Sequence, residues 1–325
     1  MTKGMRIRAY GGPEVMSYEE IDLSAPAQGE VRVENRAVGV NYIDVYFRTG
    51  LYPSPVGLPY VPGNEGAGVV TALGPDVSGL KVGDRVAFTS TLGAYAGEIN
   101  MQAAKLVKLP DGIAFETAAG MMLKGMTAEY LLRRVFDVTP GHHILFHAAA
   151  GGVGLIAGQW GKHLGATMIG TAGSEEKCAI ARAHGYAHLI NYNTENFVER
   201  VKEITGGKGV DAAYDSVGKT TWLGSLDCLK PRGMFAAFGQ SSGVIEGFTL
   251  AHLAQRGSLF ATRPSLYAYT ATRPDLELSA HSLFDVVSGG AVKINVNQRF
   301  ELADAASAHR ALEGRSTTGA TILTV

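Results

Sequence analysis

Cysteine, net charge and long apolar runs are all scarce in this sequence, and each scarcity excludes a class of protein. Cysteine occurs twice, at Cys178 and Cys228, which excludes a disulfide scaffold and a cysteine-rich zinc site and suits a reducing cytoplasm. The formal net charge of -1 leaves no basic footprint for nucleic acid. The apolar runs fall short of the ~18 residues that a membrane span needs, and the N-terminal stretch MTKGMRIRAY lacks the apolar core of a signal peptide. These absences predict a protein of the cytoplasm.

Glycine and hydrophobic residues are, in contrast, plentiful. Glycine supplies 42 of the 325 residues, roughly twice its usual share of about 7%. Hydrophobic residues make up 46% of the chain, enough for a large core. This composition is typical of a compact α/β enzyme with many tight turns, and the length indicates two domains.

Two patterns of secondary structure follow one another along the chain. Up to about residue 110, alternation predicts short strands such as 30–40, 66–73 and 84–88, and hence a barrel-like β domain. Strands and helices then alternate, which predicts a parallel, doubly wound sheet. The predicted helices cover 114–136, 152–164, 174–183, 219–229 and 275–290, and the predicted strands 142–148, 166–172, 188–192, 209–218, 233–239 and 257–263. A last strand, 317–325, is expected to return to the first domain.

A glycine loop joins a strand to a helix in the second pattern. The stretch HAAAGGVG occupies residues 147–154. Ala149 stands where the dinucleotide fingerprint G-x-G-x-x-G has its first glycine, and Gly151 and Gly154 take the other two places. The middle glycine lets the backbone approach a pyrophosphate, and the helix N-terminus attracts its charge. The loop predicts a dinucleotide cofactor, although an ordinary βα turn could have the same pattern.

The end of the next strand favours NADP over NAD. An NAD enzyme usually carries an acid about 20 residues beyond the loop to hold the ribose hydroxyls, but the tip of the strand here has none. Glu175 and Glu176 fall in the first helical turn, where a carboxylate suits the helix dipole. Ser174 and Lys177 can instead hold a 2′-phosphate, so the predicted cofactor is NADPH.

Several motifs, in one order and at one spacing, resemble the medium-chain dehydrogenase/reductase superfamily. They are NYIDVYFRTGLYP (41–53), GNEGAGVV (63–70), GDRV (83–86), LKGMTAEYLL (123–132) and HAAAGGVG (147–154). Other stretches resemble its bacterial NADPH:quinone oxidoreductase branch, the zeta-crystallin-like group. They are RAVGVNYIDVYFRTGLYP (36–53), AYDSVG (213–218), SLDCL (225–229), FGQSSG (238–243) and TRPSL (262–266).

The resemblance implies an α/β fold class, with a Rossmann-type, doubly wound parallel sheet and a barrel-like, GroES-like β catalytic domain. The catalytic domain is expected over 1–126 and 265–325, and the dinucleotide-binding Rossmann domain over 127–264. NADPH is expected in the cleft between these domains.

The resemblance also bears on metal and substrate. Zinc-dependent members hold a catalytic metal with a Cys, a His and a second Cys, and the corresponding places here hold Asn41, Asn64 and Lys124. Amides and an ammonium group cannot replace thiolate and imidazole around Zn²⁺, and the histidines, His147 among them, are interpreted as packing and surface residues. We therefore expect no metal. A quinone ring accepts hydride without a Lewis acid, so a quinone is the expected substrate.

Further site residues are carried over from the resemblance. Residues expected to contact the cofactor are Tyr42, Tyr46, Tyr130, Gly152, Val153, Gly173, Ser174, Lys177, Tyr192, Ser216, Phe238, Gly239, Ser241, Leu266 and Arg315. Residues expected to line the quinone pocket, as the catalytic set, are Asn41, Tyr46, Tyr52 and Asn64. Alternatives stay open, with Asn41 as a helix N-cap, Tyr42 and Tyr130 as core residues, and Arg315 as a surface residue.

The main prediction is a cytoplasmic, metal-free NADPH:quinone oxidoreductase that forms a homodimer. The dimer follows from the resemblance and from the apolar stretch GSLFATR (257–263), an expected edge strand with which a second copy could pair. One alternative is an NADPH-dependent reductase of activated alkenes, such as enones or enoyl thioesters. Another is a non-catalytic role as a crystallin-like or RNA-binding protein, although no nucleic-acid or membrane partner is expected.

Overall fold

Two compact units make up the chain in a computed structural model that describes residues 2–89 and 92–325. Unit 1 comprises Met1–Lys124, Thr272–Phe284 and Ile294–Val325, and unit 2 comprises Gly125–Ala271 and Asp285–Lys293. Among the described helices, none combines the length and the apolar character needed to cross a membrane.

Strands and helices have the following bounds. The strands are β1 Thr2–Ile7, β2 Met16–Ile21, β3 Glu30–Val40, β4 Glu65–Leu73, β5 Arg85–Thr89, β6 Glu98–Gln102, β7 Leu106–Lys108, β8 His143–Phe146, β9 Thr167–Ala172, β10 His188–Asn191, β11 Val210–Asp215, β12 Leu229–Ala237, β13 Phe260–Thr262, β14 Val296–Glu301 and β15 Ala320–Thr324. The helices are α1 Tyr42–Thr49, α2 Phe115–Tyr130, α3 Gly152–His163, α4 Glu175–Ala183, α5 Phe197–Ile204, α6 Trp222–Asp227, α7 Leu250–Gln255, α8 Leu266–Tyr269, α9 Arg273–Ser288 and α10 Ala305–Glu313.

Unit 2 contains a six-stranded sheet in the order β10-β9-β8-β11-β12-β13, in which each neighbouring pair is parallel. All six residues of β11 are buried, as expected of a strand with both faces covered. The predicted doubly wound sheet is confirmed. Strand order reverses between β8 and β11, and in such sheets ligands bind at the carboxyl ends of the strands beside this switch point.

Unit 1 contains a seven-stranded sheet in the order β14-β15-β3-β4-β5-β7, with β6 paired to β3. The long strand β3 buries Val31, Val33 and Val38 completely and packs them into the core of the unit. The expected return of the chain is confirmed, because β15 pairs antiparallel with β3.

Two predicted elements are shorter in the structure. The helix predicted over 114–136 ends its α-helical part at Tyr130, and a π-helical turn covers Leu131–Val135. The edge strand predicted over 257–263 is reduced to β13, because Gly257 and Ser258 have φ of 93° and 58° and cannot be extended. Its predicted place at the edge is right, since β13 ends the sheet order.

Candidate active site

The glycine loop lies between β8 and α3. Gly151 is the N-cap of α3, and Gly152 and Val153 are its first two residues. Within the described structure no side chain caps this helix end, and its first turn holds no acidic residue. The N–H groups of that turn and the positive end of the helix dipole suit a phosphate group.

Close packing shapes the loop. A Cβ at Gly154 would lie 2.4 Å from the Ala148 carbonyl oxygen, so glycine is required there. Ala148 has φ 56°, a left-handed conformation uncommon outside glycine. Ala149, in the first glycine's place, donates its N–H to the Thr171 carbonyl oxygen at 3.0 Å.

The tip of β9 gathers the residues expected at the 2′-phosphate. A Cβ at Gly173 would lie 2.5 Å from the Tyr192 hydroxyl oxygen, so this tyrosine packs directly on the glycine. Ser174 is the N-cap of α4, and its hydroxyl accepts the Lys177 N–H at 3.2 Å. Glu175 lies in the first turn of α4, as expected. It accepts a hydrogen bond at 2.8 Å from the Asn191 side chain at the end of β10.

The loops after β11 and β12 interlock at the same edge of the sheet. The N–H groups of Phe238 and Gly239 donate to the Asp215 carbonyl oxygen at 2.8 and 3.3 Å. The Ser241 N–H donates to the Ser216 carbonyl oxygen at 3.2 Å. The structure thus brings these four predicted cofactor residues together at the carboxyl ends of two parallel strands.

Tyr130 and Leu266 are core residues of unit 2. Tyr130 is 2% exposed and stacks on Tyr269, with ring centroids 4.7 Å apart. Burial raises the pKa of the Tyr130 hydroxyl. Leu266, the first residue of α8, is also buried. Both side chains are therefore packed in the interior of unit 2, and their contact with a cofactor stays a prediction.

Two tyrosines of α1, Tyr42 and Tyr46, form a cluster with Tyr52 in unit 1. Ring centroids lie 5.4 Å apart for Tyr42 and Tyr46 and 5.1 Å apart for Tyr46 and Tyr52. Arg315 is exposed, and its charge opposes the burial that raises the pKa of Tyr42. The cluster is compact enough to line one pocket, and the catalytic role of its members stays a prediction.

The three metal-ligand places hold side chains that donate to buried carboxylates. Asn41 Nδ2 and Lys124 Nζ lie 2.8 and 2.9 Å from the same Glu65 oxygen, Oε2. Asn64 Nδ2 donates to Asp44 Oδ1 at 2.5 Å. Glu65 and Asp44 are both fully buried. The sequence analysis did not identify these two acids as site residues. Their positions in apolar stretches could have indicated them, because Glu65 directly follows Asn64 and Asp44 lies three residues after Asn41.

The N-cap role considered for Asn41 is confirmed, and its role in the quinone pocket stays a prediction. Asn41 is the N-cap of α1, and its N–H donates to Asp44 Oδ2 at 2.8 Å. Its side chain turns to Glu65, so Asn41 joins the helix end to the polar cluster.

The Asp44 carboxyl has a raised pKa. Burial raises its pKa to about 6, against hydrogen bonds from Asn64, Asn41 and Tyr95. The Tyr95 hydroxyl lies 3.0 Å from Asp44 Oδ2 and 3.1 Å from His309 Nε2. Burial, with the charge of a neighbouring arginine, lowers the pKa of His309 to about 3. The cluster therefore combines a titratable carboxyl with a neutral imidazole.

His147 is more than the packing residue that the sequence suggested. It is 1% exposed, and both of its ring nitrogens have hydrogen-bond partners, Thr171 and Ser225, at 2.9 Å. Its role could not be predicted because Ser225 lies 78 positions away along the chain.

Family profiles match both parts of the chain. Residues 27–143 match the alcohol dehydrogenase GroES-like domain, and residues 152–273 match the zinc-binding dehydrogenase family. Together with the parallel sheet and its glycine loop, these matches define a two-domain dehydrogenase/reductase of the medium-chain class.

Relatives narrow this class. A quinone oxidoreductase from Pseudomonas aeruginosa is 52% identical over 324 residues, or 99% of each chain. The crystal structure of Escherichia coli quinone oxidoreductase complexed with NADPH matches with a TM-score of 0.97 at 48% identity, over 99% of this chain and 100% of that one. A 2-haloacrylate reductase from Burkholderia sp is 47% identical, over 98% and 97% of the two chains. The chain belongs to the quinone oxidoreductase family of medium-chain dehydrogenases/reductases.

A zinc ion, as the zinc-binding dehydrogenase family name implies, does not fit the side chains at the three predicted metal-ligand places. Zinc sites use thiolate, imidazole and carboxylate ligands, whereas Asn41 and Lys124 present N–H donors to Glu65. In the part of the chain that the structure describes, no group of three or more His, Cys, Asp or Glu side chains could hold a metal ion.

Proposed function

We propose that this chain is an NADPH:quinone oxidoreductase that reduces a quinone by hydride transfer without a metal. The observation that carries the proposal is the filling of the three metal-ligand places by Asn41, Asn64 and Lys124, each bonded to a buried carboxylate. Polarising an alcohol or aldehyde is difficult without a Lewis acid, whereas an electron-poor quinone ring accepts hydride unaided. High identity to quinone oxidoreductases over nearly the whole chain supports this substrate class.

NADPH fits the residues of unit 2. The uncapped first turn of α3 can receive the pyrophosphate, and the tip of β9 offers Ser174 and Lys177 to the 2′-phosphate. When bound, NADPH supplies the hydride. The protein holds the cofactor through the loop and through the loops after β11 and β12, and it orients the substrate.

The quinone pocket is assigned to Asn41, Tyr46, Tyr52 and Asn64. The Tyr46 and Tyr52 rings lie 5.1 Å apart at an angle of 58°, so an aromatic ring face and a ring edge are both available to contact a planar substrate. We assign the Tyr46 hydroxyl to one quinone oxygen, which it holds while that oxygen takes up a proton.

The assembly proposed is a cytoplasmic homodimer without nucleic-acid or membrane partners. Phe260 on the edge strand β13 is 58% exposed, which supports pairing with the same strand of a second copy. Light scattering should give twice the chain mass of 34.3 kDa. The catalytic domain is proposed to cover 1–126 and 265–325, and the nucleotide-binding domain 127–264.

Steady-state kinetics test the function. Purified protein should oxidise NADPH with a panel of quinones, and a chelator should leave the rate unchanged. Loss of activity on chelation, with recovery on adding zinc, would refute the metal-free mechanism. Absence of NADPH oxidation with every quinone would refute the substrate class.

Reduction of activated alkenes is the second candidate. The 2-haloacrylate reductase that is 47% identical supports it, because a conjugated alkene, like a quinone, is an electron-poor hydride acceptor. Measuring kcat/KM for 2-haloacrylates and enones beside quinones decides between the two, and the higher value identifies the substrate class.

A further inference from the structure

We propose that Thr171, His147, Ser225 and Asp215 form an ordered hydrogen-bonded chain that positions the glycine loop for NADPH, with His147 as the positioning residue in its Nε2–H tautomer. This inference rests on the proposed function. We call these four residues the His147 chain.

The His147 chain is continuous and buried. Thr171 Oγ1 lies 2.9 Å from His147 Nδ1, and Ser225 Oγ lies 2.9 Å from His147 Nε2. The Ser225 hydroxyl donates to Asp215 Oδ2 at 2.9 Å. Each of the four residues is at most 1% exposed. A buried polar chain of this kind is favourable only when every donor meets an acceptor.

Proton order in the His147 chain follows from Asp215. Its other oxygen, Oδ1, accepts from the N–H groups of Val217 and Gly218 and from the Thr221 hydroxyl, at 2.8, 3.0 and 2.9 Å. Asp215 is thus a carboxylate that only accepts. The Ser225 hydroxyl has one hydrogen and two acceptors within reach, Asp215 Oδ2 at 2.9 Å and the Thr221 carbonyl oxygen at 3.0 Å. It donates to Asp215, because hydrogen bonds to charged acceptors are stronger.

The tautomer of His147 follows in turn. Since the Ser225 hydroxyl donates its single hydrogen to Asp215, its oxygen can only accept from His147, and Nε2 must be the donor. Burial lowers the pKa of His147 against the charge of Asp215, which raises it, so the ring is neutral at neutral pH. With Nε2 as the donor, Nδ1 carries the lone pair. Nδ1 therefore accepts the hydroxyl proton of Thr171.

This order matters because His147 is the first residue of the glycine loop. Its N–H donates to the Tyr214 carbonyl oxygen at 3.0 Å, and the Ala149 N–H donates to the Thr171 carbonyl oxygen at 3.0 Å. Between these two anchors Ala148 is held at φ 56°, a strained conformation that persists only where its surroundings fix it. The His147 chain joins the carboxyl ends of β8, β9 and β11 to α6, and so fixes the shape of the loop before NADPH binds.

Thr171→Val and Thr171→Ser are the matched test pair, because the first removes the hydroxyl at constant volume and the second keeps it. NADPH affinity is measured by fluorescence titration without quinone. Thr171→Val and Ser225→Ala should raise Kd about tenfold, the factor that one net hydrogen bond supplies, while Thr171→Ser should stay near the wild type. Thr205→Val removes another buried hydroxyl of unit 2, one that bonds Val201, and should leave Kd unchanged. Unchanged Kd in both Thr171→Val and Ser225→Ala would overturn the proposal.

Histidine ¹⁵N chemical shifts give a readout that does not depend on turnover. With ¹⁵N-histidine labelling and His147→Gln for assignment, His147 should show a protonated Nε2 and a lone pair on Nδ1 at neutral pH. Ser225→Ala should shift this ring toward a mixture of tautomers. An Nδ1–H tautomer in the wild type would overturn the His147 chain. Failure of the wild type to bind NADPH would instead refute the proposed function, and the tautomer would still decide whether the chain is ordered as inferred.

Discussion

The polar cluster around Asp44 and Glu65 in unit 1 and the His147 chain in unit 2 bury polar side chains in different ways. In unit 2 the His147 chain has one carboxylate, Asp215, which accepts from the Ser225 hydroxyl, and we infer that each of the other members donates one hydrogen bond to the next. In unit 1 several charges are buried near one another, among them Asp44, Glu65 and Lys124. The described atoms there also leave the Nε and Nη1 groups of the buried Arg48 without a hydrogen-bond partner.

This difference matches the tasks proposed for the two units. A loop that binds one invariant cofactor benefits from a single rigid shape, and a chain whose one carboxylate is fully hydrogen-bonded provides it. A substrate pocket uses a local electrostatic field and titratable side chains. Buried charged side chains provide both, at a cost in the free energy of unfolding. Removing one partner of a buried ion pair strongly destabilises the protein. Mutations in the polar cluster of unit 1 should therefore cost more stability than mutations in the His147 chain.

Lys124→Met is expected to have the largest effect. It leaves the Glu65 carboxylate buried without its ammonium partner at 2.9 Å, and breaking such a pair costs about 3–5 kcal/mol. Denaturant unfolding should show this loss, and Lys124→Met with Glu65→Gln should recover most of it. Ser225→Ala in unit 2 should cost less, about 1–3 kcal/mol, since it removes a neutral hydroxyl. A smaller loss in Lys124→Met than in Ser225→Ala would contradict the comparison.

Asp44→Asn should change how stability depends on pH. The folded pKa of Asp44, about 6, lies above its ordinary value of 3.8, so the folded state binds this proton more tightly than the unfolded state. The resulting stabilisation is complete below pH ~4 and is lost as pH rises through ~6, by about 2–3 kcal/mol. The variant should lack this decline, whatever its absolute stability. Parallel stability curves for wild type and variant between those pH values would show that Asp44 titrates normally.

Lys177→Ala should erode the preference for NADPH over NADH. The ratio of kcat/KM values for the two cofactors should fall about tenfold, because one charge-assisted bond to the 2′-phosphate is lost. Lys162→Ala, at an exposed lysine of α3, is the control and should leave the ratio unchanged. Equal kcat/KM values for NADPH and NADH in the wild type would contradict the assignment of Lys177 to the 2′-phosphate.

Tyr46→Phe should have a modest effect and test whether the substrate contacts the tyrosine cluster of unit 1. The ring stays and only the hydroxyl is lost, so quinone kcat/KM should fall by at most about 1–3 kcal/mol in transition-state stabilisation. NADPH affinity should be nearly unchanged. If NADPH affinity falls instead, Tyr46 belongs to the cofactor site.

Much of the fold could be predicted because its signals are local. The strand over 30–40 and the helix start at Gly152 follow from side-chain period and glycine placement within one segment. Elements without such a clear local signal were missed, among them α10 and β14. The stretch 257–263 has strand-like residues, but the left-handed Ser258 shortens it to β13.

The sequence by itself determined the family, the alternation of strands and helices in the parallel sheet of unit 2, and the dinucleotide loop, because their signals lie in short stretches of the chain. Only the tertiary structure decided which groups meet in the two polar clusters. Glu65 bonds Lys124 across 59 positions, and His147 bonds Ser225 across 78. The physical reason is that a buried hydrogen bond depends on the distance between atoms and on their protonation, and both are set by how distant strands pack.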